Sequence, residues 1–248
     1  MTLASMLRVK NEARWIERVL MGLAPVSNFI AVFDDHSTDD TVEVVRRVSR
    51  RRLFDTIPIE VFRSPFDDLN EARDKTYLAH KVVGYDSFDW ILCLDGDEEL
   101  PANQVPHLLR ALGSTAAPAW RLQIRYLWDR PDQVRVDGCY ASFTRQSLFR
   151  VSETNLQFRA TGYGGQANFH CSNVPADVRE RAGYSDAALL HYGYMLREDR
   201  IRKYHWYNRI DPSNALEDGY RHMVQGDLAE IPADSKLLHA GPLKLAAI

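Results

Sequence analysis

Two apolar runs that break abruptly into acid constrain this chain most. Asn28 to Phe33 reads Asn-Phe-Ile-Ala-Val-Phe and gives way to Asp34-Asp35-His36-Ser37-Thr38-Asp39. Trp90-Ile91-Leu92-Cys93-Leu94 gives way to Asp95-Gly96-Asp97-Glu98-Glu99. Short apolar runs without alternation mark strands covered on both faces, as in parallel sheets flanked by helices. Leu3 to Val9 and Ile57 to Phe62 read as two further strands. Helical spacing recurs between them: Trp15, Ile16, Val19, Leu20 and Leu23 within Glu12 to Leu23, then a helix from about Asp40, then Asn70 to Val83 and about Asn103 to Leu112. Strand and helix alternation of this kind predicts an α/β fold with a mostly parallel sheet and right-handed crossovers.

After Pro118 the texture changes. Ala119 to Trp128 alternates, Ala141 to Val151 and Ala160 to His170 look extended, and Leu189 to Tyr192 is another strand candidate. These segments predict antiparallel additions that complete the sheet. Arg197 to Ile210 is helical and dense in charge and aromatics; beyond Pro212 no strong pattern emerges. No linker or repeat interrupts the 248 residues, so a single domain is expected. The change of texture divides it into a first half of about residues 1–115 and a second of about 116–248.

Composition narrows the classes. Apolar residues are 45% and charged residues 26%, with net charge −3. No global basic field advertises nucleic acid. No apolar run approaches the roughly 20 residues of a transmembrane helix, and the first residues do not read as a signal peptide. Cys93, Cys139 and Cys171 are odd in number and far apart, unlike a disulfide framework or a CxxC zinc site. A cytoplasmic, reduced protein is the expectation.

Ligands of parallel α/β sheets bind beyond the carboxyl ends of the strands. In Asp95-Gly96-Asp97 two carboxylates flank a glycine that lets a ligand come close. Such oxygens suit Mg²⁺ or Mn²⁺, which keep waters and bridge to substrate phosphates. An isolated motif of this length is equally an acidic turn capping a helix. Here Asp34 and Asp35 end the second strand at the same expected edge, where a carboxylate can meet a base or ribose. Arg8, Lys10, Asn11 and Glu12 end the first strand, also in reach of a base or phosphate.

Together these segments resemble family 2 glycosyltransferases with the GT-A fold. Ser5 to Glu12 is similar to their opening strand, and Val32 to Thr41 to a motif commonly written VDDGSTDGT. Asp67-Asp68-Leu69-Asn70-Glu71-Ala72-Arg73-Asp74 is similar to DDFAAARN, and Trp90 to Glu98 to WILFLDADE. Ser147 to Arg150 resembles an RLFR element and Leu190 to Tyr194 a late HYGY element. The match runs in order from about residue 3 to 210. It implies an inverting transferase that uses a nucleotide-activated sugar, with UDP or GDP as the expected carrier.

Carried over by position, Asp34 would contact the base, Asp95 the ribose or metal, and Asp97 the metal and diphosphate. His191 would be a later metal or diphosphate ligand, and imidazole suits Mn²⁺. Arg73, with Asp68, Asp35 and Gly96, would line the nucleotide site; Arg197, Arg200, Arg202 and Lys203 are candidates for neutralising diphosphate. The acceptor could be a glycan, a lipid-linked sugar, a protein side chain, a small molecule or a modified nucleic-acid base.

Three departures stand out. Arg8 replaces a common proline and His36 a common glycine. Asn168-Phe169-His170-Cys171 lacks the glutamate of the His-Glu pair that relatives often carry there. An inverting transferase needs a base for the acceptor hydroxyl; Asp137, Glu153 and His170 are the candidates. Cys171 as nucleophile lacks an identifiable base partner. Tyr163-Gly164-Gly165-Gln166 could form an acceptor loop, and Trp120, Trp128, Trp206 and Tyr207 could stack on sugar rings. Two alternatives remain: a sugar-phosphate nucleotidyltransferase, disfavoured by the absence of glycine in Arg8 to Glu12, and a non-catalytic nucleotide-sugar or glycan-binding scaffold.

Overall fold

The expected strands form the parallel heart of one sheet. The computed structural model describes residues 1–160, 170–211, 219–228 and 243–248. β1 (Leu3–Val9) pairs in parallel with β2 (Phe29–Asp34) on one side and β4 (Trp90–Asp95) on the other, and β3 (Ile59–Arg63) pairs with β2. Side chains alternate between two cores. Leu3, Leu7 and Val9 face α1 (Ile16–Leu23) and α2 (Thr41–Ser49), while Ala4 and Met6 face α3 (Glu71–Tyr85). Covering both faces explains why β2 is buried at every residue and shows no polar alternation.

The second half extends this sheet as expected. β6 (Ala119–Trp128), β7 (Arg130–Arg135) and β8 (Thr144–Arg150) join in the order β7-β6-β8-β4, each pairing antiparallel. β9 (Gly183–His191) runs parallel to β6 and antiparallel to the two-residue β5 (Glu98–Glu99). α4 (Val105–Gly113) packs against β9, and α5 (Arg197–Ile210) follows it. β10 (Leu245–Ala247) pairs with β7. Three residues are too few for any periodicity to show, so the tail gave no signal in sequence. The candidate acceptor loop at 163–166 and most of the extended segment 160–170 lie outside the described residues.

One boundary differs for a physical reason. The first helix begins at Ile16 rather than Glu12, because residues 10–15 form a loop in which Asn11 adopts φ 58°. That loop is tied to the one after β2: Thr38 N donates to Asn11 Oδ1 (2.7 Å), and Asn11 N donates to Ser37 Oγ (3.0 Å). His36 also has positive φ, 54°, which accounts for glycine being usual at that position. Its ring Nε2 sits 2.7 Å from the Phe66 carbonyl, holding the strained residue.

The aromatic expectation is corrected in part. Trp128 is 1% and Trp120 9% exposed, so neither presents a face to a sugar. Trp128 lies between two guanidiniums, Arg135 at 4.6 Å and Arg200 at 4.3 Å. Arg200 is also held by Asp227 (2.6 Å) and Asp129 (2.7 Å), which joins α5, the β6–β7 corner and residues 219–228.

Leu92 sits fully buried in the middle of β4, between β1 and β8. Leu92→Ala should cost about 2–5 kcal/mol, read as a lowered midpoint with unchanged slope in urea unfolding. A loss well under 1 kcal/mol would remove β4 from the centre of the core.

Candidate active site

Register brings the acidic clusters to one edge. Val9 lies opposite Asp34 and Arg8 opposite Asp95, so β1, β2 and β4 end level with one another. The turn after β4 needs glycine at 96, since a Cβ there would come within 2.8 Å of Glu12 Cγ and 2.9 Å of Val9 Cγ1. β5 then pairs with the end of β9, setting Glu98 opposite His191, and Tyr192 N donates to Asp97 O (2.8 Å). This short ladder delivers His191 to the turn.

Asp97, His191 and Lys203 therefore meet. Lys203 Nζ donates to Asp97 Oδ2 at 2.6 Å, and His191 Nε2 lies 3.7 Å from the same oxygen. Gly193 closes the cradle: a Cβ there would collide with the Asp97 carboxylate and the Lys203 ammonium. Burial opposes both charges, yet each outweighs that penalty for the other. Asp97 is held below the usual carboxylate range by Lys203 and His191, and Lys203 is raised by Asp97 and Glu12. Burial lowers His191 to about 4, so its imidazole is neutral at physiological pH. Its buried Nδ1 has no hydrogen-bond partner among the described residues.

Asp95 is turned elsewhere. Continuing the β4–β8 register three residues past Leu92 and Leu148 sets Arg145 opposite Asp95, and Arg145 Nη1 donates to Asp95 Oδ2 at 2.7 Å. Burial alone would raise Asp95, but Arg145 and Lys75 pull it well below its ordinary value. Arg145 also pairs with Glu98, which is fully buried; desolvation pushes Glu98 up to about 8. Glu12 is likewise raised to about 8, by burial and then by Asp97. Two ionised carboxylates thus sit beside two that favour the proton.

On the nucleotide side, Asp34 Oδ1 accepts from Ser37 N (3.1 Å). Asp35 accepts from Arg8 (2.7 Å) and lies 3.4 Å from Lys10. Arg8 also pairs with the fully buried Asp74 (2.9 Å). Arg73 pairs with Asp68 (2.5 Å) and Asp74 (3.0 Å) and stacks 3.8 Å over Phe66. These residues form a continuous charged rim from β1 to α3.

Other expected residues fall outside it. Asp137 is buried in a two-pronged pair with Arg135 (2.9 Å to each oxygen), and its Oδ1 also accepts from Lys244 N. That pair fastens the tail. Glu153 follows β8, whose Arg150 lies opposite Trp90 at the start of β4; it is therefore at the opposite edge from Asp95, facing Arg181 at 3.7 Å. Arg197 pairs with Asp227 rather than with Asp97. His170 sits near Tyr220 OH (2.8 Å), which donates to Asp211 (2.6 Å); burial lowers its pKa against the pull of Glu71 and Asp211. The Cys171 thiol is pushed up to about 11 by burial, unsuited to a nucleophile.

Arg145, Glu98 and Gly193 were not picked out from sequence. Only pairing register reveals that Arg145 shares a site with Asp95 and Glu98. Asp97 and His191 supply a carboxylate and a neutral imidazole, donors that suit a divalent cation sharing its shell with phosphate and water. Among the described residues no three His, Cys, Asp or Glu side chains gather closely enough to hold a metal ion by themselves.

Residues 8–164, more than half of the chain, match the family described as Glycosyl transferase family 2. The chain belongs to that family. An uncharacterised protein of Mycobacterium tuberculosis, Rv3786c, is 24% identical over 225 residues, as is Mb3815c of Mycobacterium bovis. The match takes in 88% of this chain and 53% of each relative, so the chain spans about half the length of the curated proteins it matches. Among solved structures, S. aureus TarS residues 1–349 superpose with TM-score 0.52 and 12% identity, over 90% of this chain and 70% of that one. TarS with UDP-GlcNAc gives 0.51 and 12%, over 77% and 56%. The shared fold is the GT-A arrangement of a parallel sheet with antiparallel additions. No helix among the described residues is long and apolar enough to cross a membrane.

The neutral buried imidazole of His191 carries a pH signature. In the unfolded chain it titrates near 6.5 and in the fold at about 4. Its stabilisation is complete above 6.5 and is lost as pH falls from 6.5 through 4. His191→Gln should therefore shrink the stability difference between pH 7 and pH 4.5 by about 2 kcal/mol, measured by urea unfolding at both pH values. An unchanged difference would mean that the imidazole is not buried neutral.

Proposed function

We propose that this chain transfers a sugar from a nucleoside diphosphate, with UDP or GDP as carrier, to an acceptor hydroxyl with inversion at the anomeric carbon. The observation that carries the reading is the meeting of Asp97, His191 and Lys203 at the end of the parallel strands, beside the Asp34 and Arg73 rim. Asp34 and the interlocked loops after β1 and β2 would take the nucleoside, and Arg73, fixed by Asp68, Asp74 and Phe66, would support it. Family membership and the TarS fold, solved with UDP and with UDP-GlcNAc, support a nucleotide-sugar donor.

Asp97 and His191 would hold the divalent cation, Mn²⁺ or Mg²⁺, which when bound neutralises charge on the departing diphosphate. Lys203 would contribute a fixed positive charge to the same oxygens. Asp95, kept ionised by Arg145, would accept from the ribose rather than close the metal shell. Protonated Glu98 and Glu12 would keep the pocket from accumulating negative charge against a diphosphate.

Release of UDP from UDP-sugars, assayed with and without Mn²⁺, tests the reading. Asp97→Ala should lower turnover at least 100-fold while the protein stays folded by circular dichroism. If UDP-sugars raise the melting temperature yet no UDP is released, the chain is a nucleotide-sugar binder and not a transferase. If no nucleoside diphosphate binds with or without Mn²⁺, both readings fail.

A further inference from the structure

We propose that Glu71, the first residue of α3, is the catalytic base that takes the proton from the acceptor hydroxyl; this rests on the transfer reading above. The reaction needs a carboxylate that is near the turn after β4, within reach of solvent, and not already closed by a cation. Asp95, Asp97, Asp35 and Asp74 each have a cationic nitrogen within 2.6–2.9 Å. Glu98 is fully buried against Arg145. Glu71 is held more loosely by its cation than any of these. Its side chain is 19% exposed, and its nearest cation, Lys75 Nζ, is 3.8 Å away.

Glu71 is also placed rather than loose. Its Oε2 accepts from Cys171 N at 3.0 Å. Lys75, one helical turn along, is drawn to Asn173 Oδ1 (2.7 Å), and Asn173 Nδ2 donates to Cys93 O (3.2 Å) on β4, two residues before Asp95. This chain of contacts ties the carboxylate to the strand that carries the turn. The charge of Glu71 acts on Arg8 at the nucleotide rim, on His170, and on Tyr207, which also feels Asp97 and Asp95. Glu71 opens a fifteen-residue helix, the end of a helix that attracts cations least and anions most. Glu71 thus places a carboxylate against the backbone of position 171, where this chain has cysteine.

The step balances simply. The acceptor oxygen bonds to the anomeric carbon as Glu71 takes its proton. The bond from that carbon to the diphosphate oxygen breaks, its electron pair leaves with the nucleoside diphosphate, and Glu71 later returns the proton to solvent. Water serves as acceptor when no sugar-accepting hydroxyl is supplied.

Glu71→Gln and Glu71→Ala separate this role from a structural one. Glutamine keeps an oxygen for Cys171 N, so fold and UDP affinity by calorimetry should stay within about twofold, while UDP-sugar hydrolysis falls on the order of 10²–10⁴-fold. Azide carries no proton to remove. In Glu71→Ala, azide should restore UDP release to within about tenfold of the wild-type rate and yield a glycosyl azide of inverted configuration by NMR. Hydrolysis that is unchanged in Glu71→Gln overturns the assignment of Glu71 alone, as does a Glu71→Ala enzyme that azide does not rescue. A wild type that releases no UDP overturns the transfer reading, and this one with it.

Discussion

A buried carboxylate must be paired or protonated, and the edge where the parallel strands end gathers several acids. Asp95 and Asp97 come from the end of β4 and its turn, Asp34 and Asp35 from the end of β2, and Glu98 and Glu12 lie near Asp97. Their cations arrive from far along the chain: Arg145 from β8, Lys203 from α5, Arg8 from β1. The second half of the chain is thus not merely attached to the first. It brings in the countercharges that keep the buried Asp97 and the half-buried Asp95 ionised.

The same demand shapes the backbone. Gly96 and Gly193 stand on either side of Asp97, each where a side chain would strike the groups that hold the site together. β5 is only two residues long, yet its pairing with β9 fixes His191 beside Asp97. Short pairing suffices because β9 is already anchored along β6 and by Gln104, whose Oε1 accepts from Ala188 N (2.9 Å). Rigidity at the turn comes from neighbours, not from the turn itself.

Much of this was legible in sequence, and what was missed has a common cause. Apolar runs covered on both faces reveal strands, and Asp34 and Asp95 declare themselves by ending them. Register between distant strands leaves no local mark. Arg145 looks like the solvent face of an alternating strand until β8 is laid against β4. Glu71 looks like an ordinary acidic residue in the first turn of a helix until Cys171 N is seen against it, and Asp137 like a free loop acid until Lys244 N from the tail is seen donating to it. Trp128 is an aromatic that could serve as a sugar platform, but it is buried and two arginines from separate elements already pack against its ring. Positions decided by one segment were readable; positions decided by two were not.

Charge at the turn also bears on the order in which a donor and a cation would arrive. Asp95 and Asp97 are ionised and are met by Arg145 and Lys203, while Glu98 and Glu12 favour their protons. The cluster is therefore close to neutral as it stands. A bare divalent cation would meet Lys203 on the very oxygen it needs, at a cost in repulsion and with no added anion to offset it. A diphosphate brings that anion. On the transfer reading, Asp97 and His191 would hold the cation and Lys203 would be free to face the phosphates, so cation and nucleotide would bind as coupled ligands. Buried charge then stays balanced before binding and after it, which a site built only from carboxylates could not achieve.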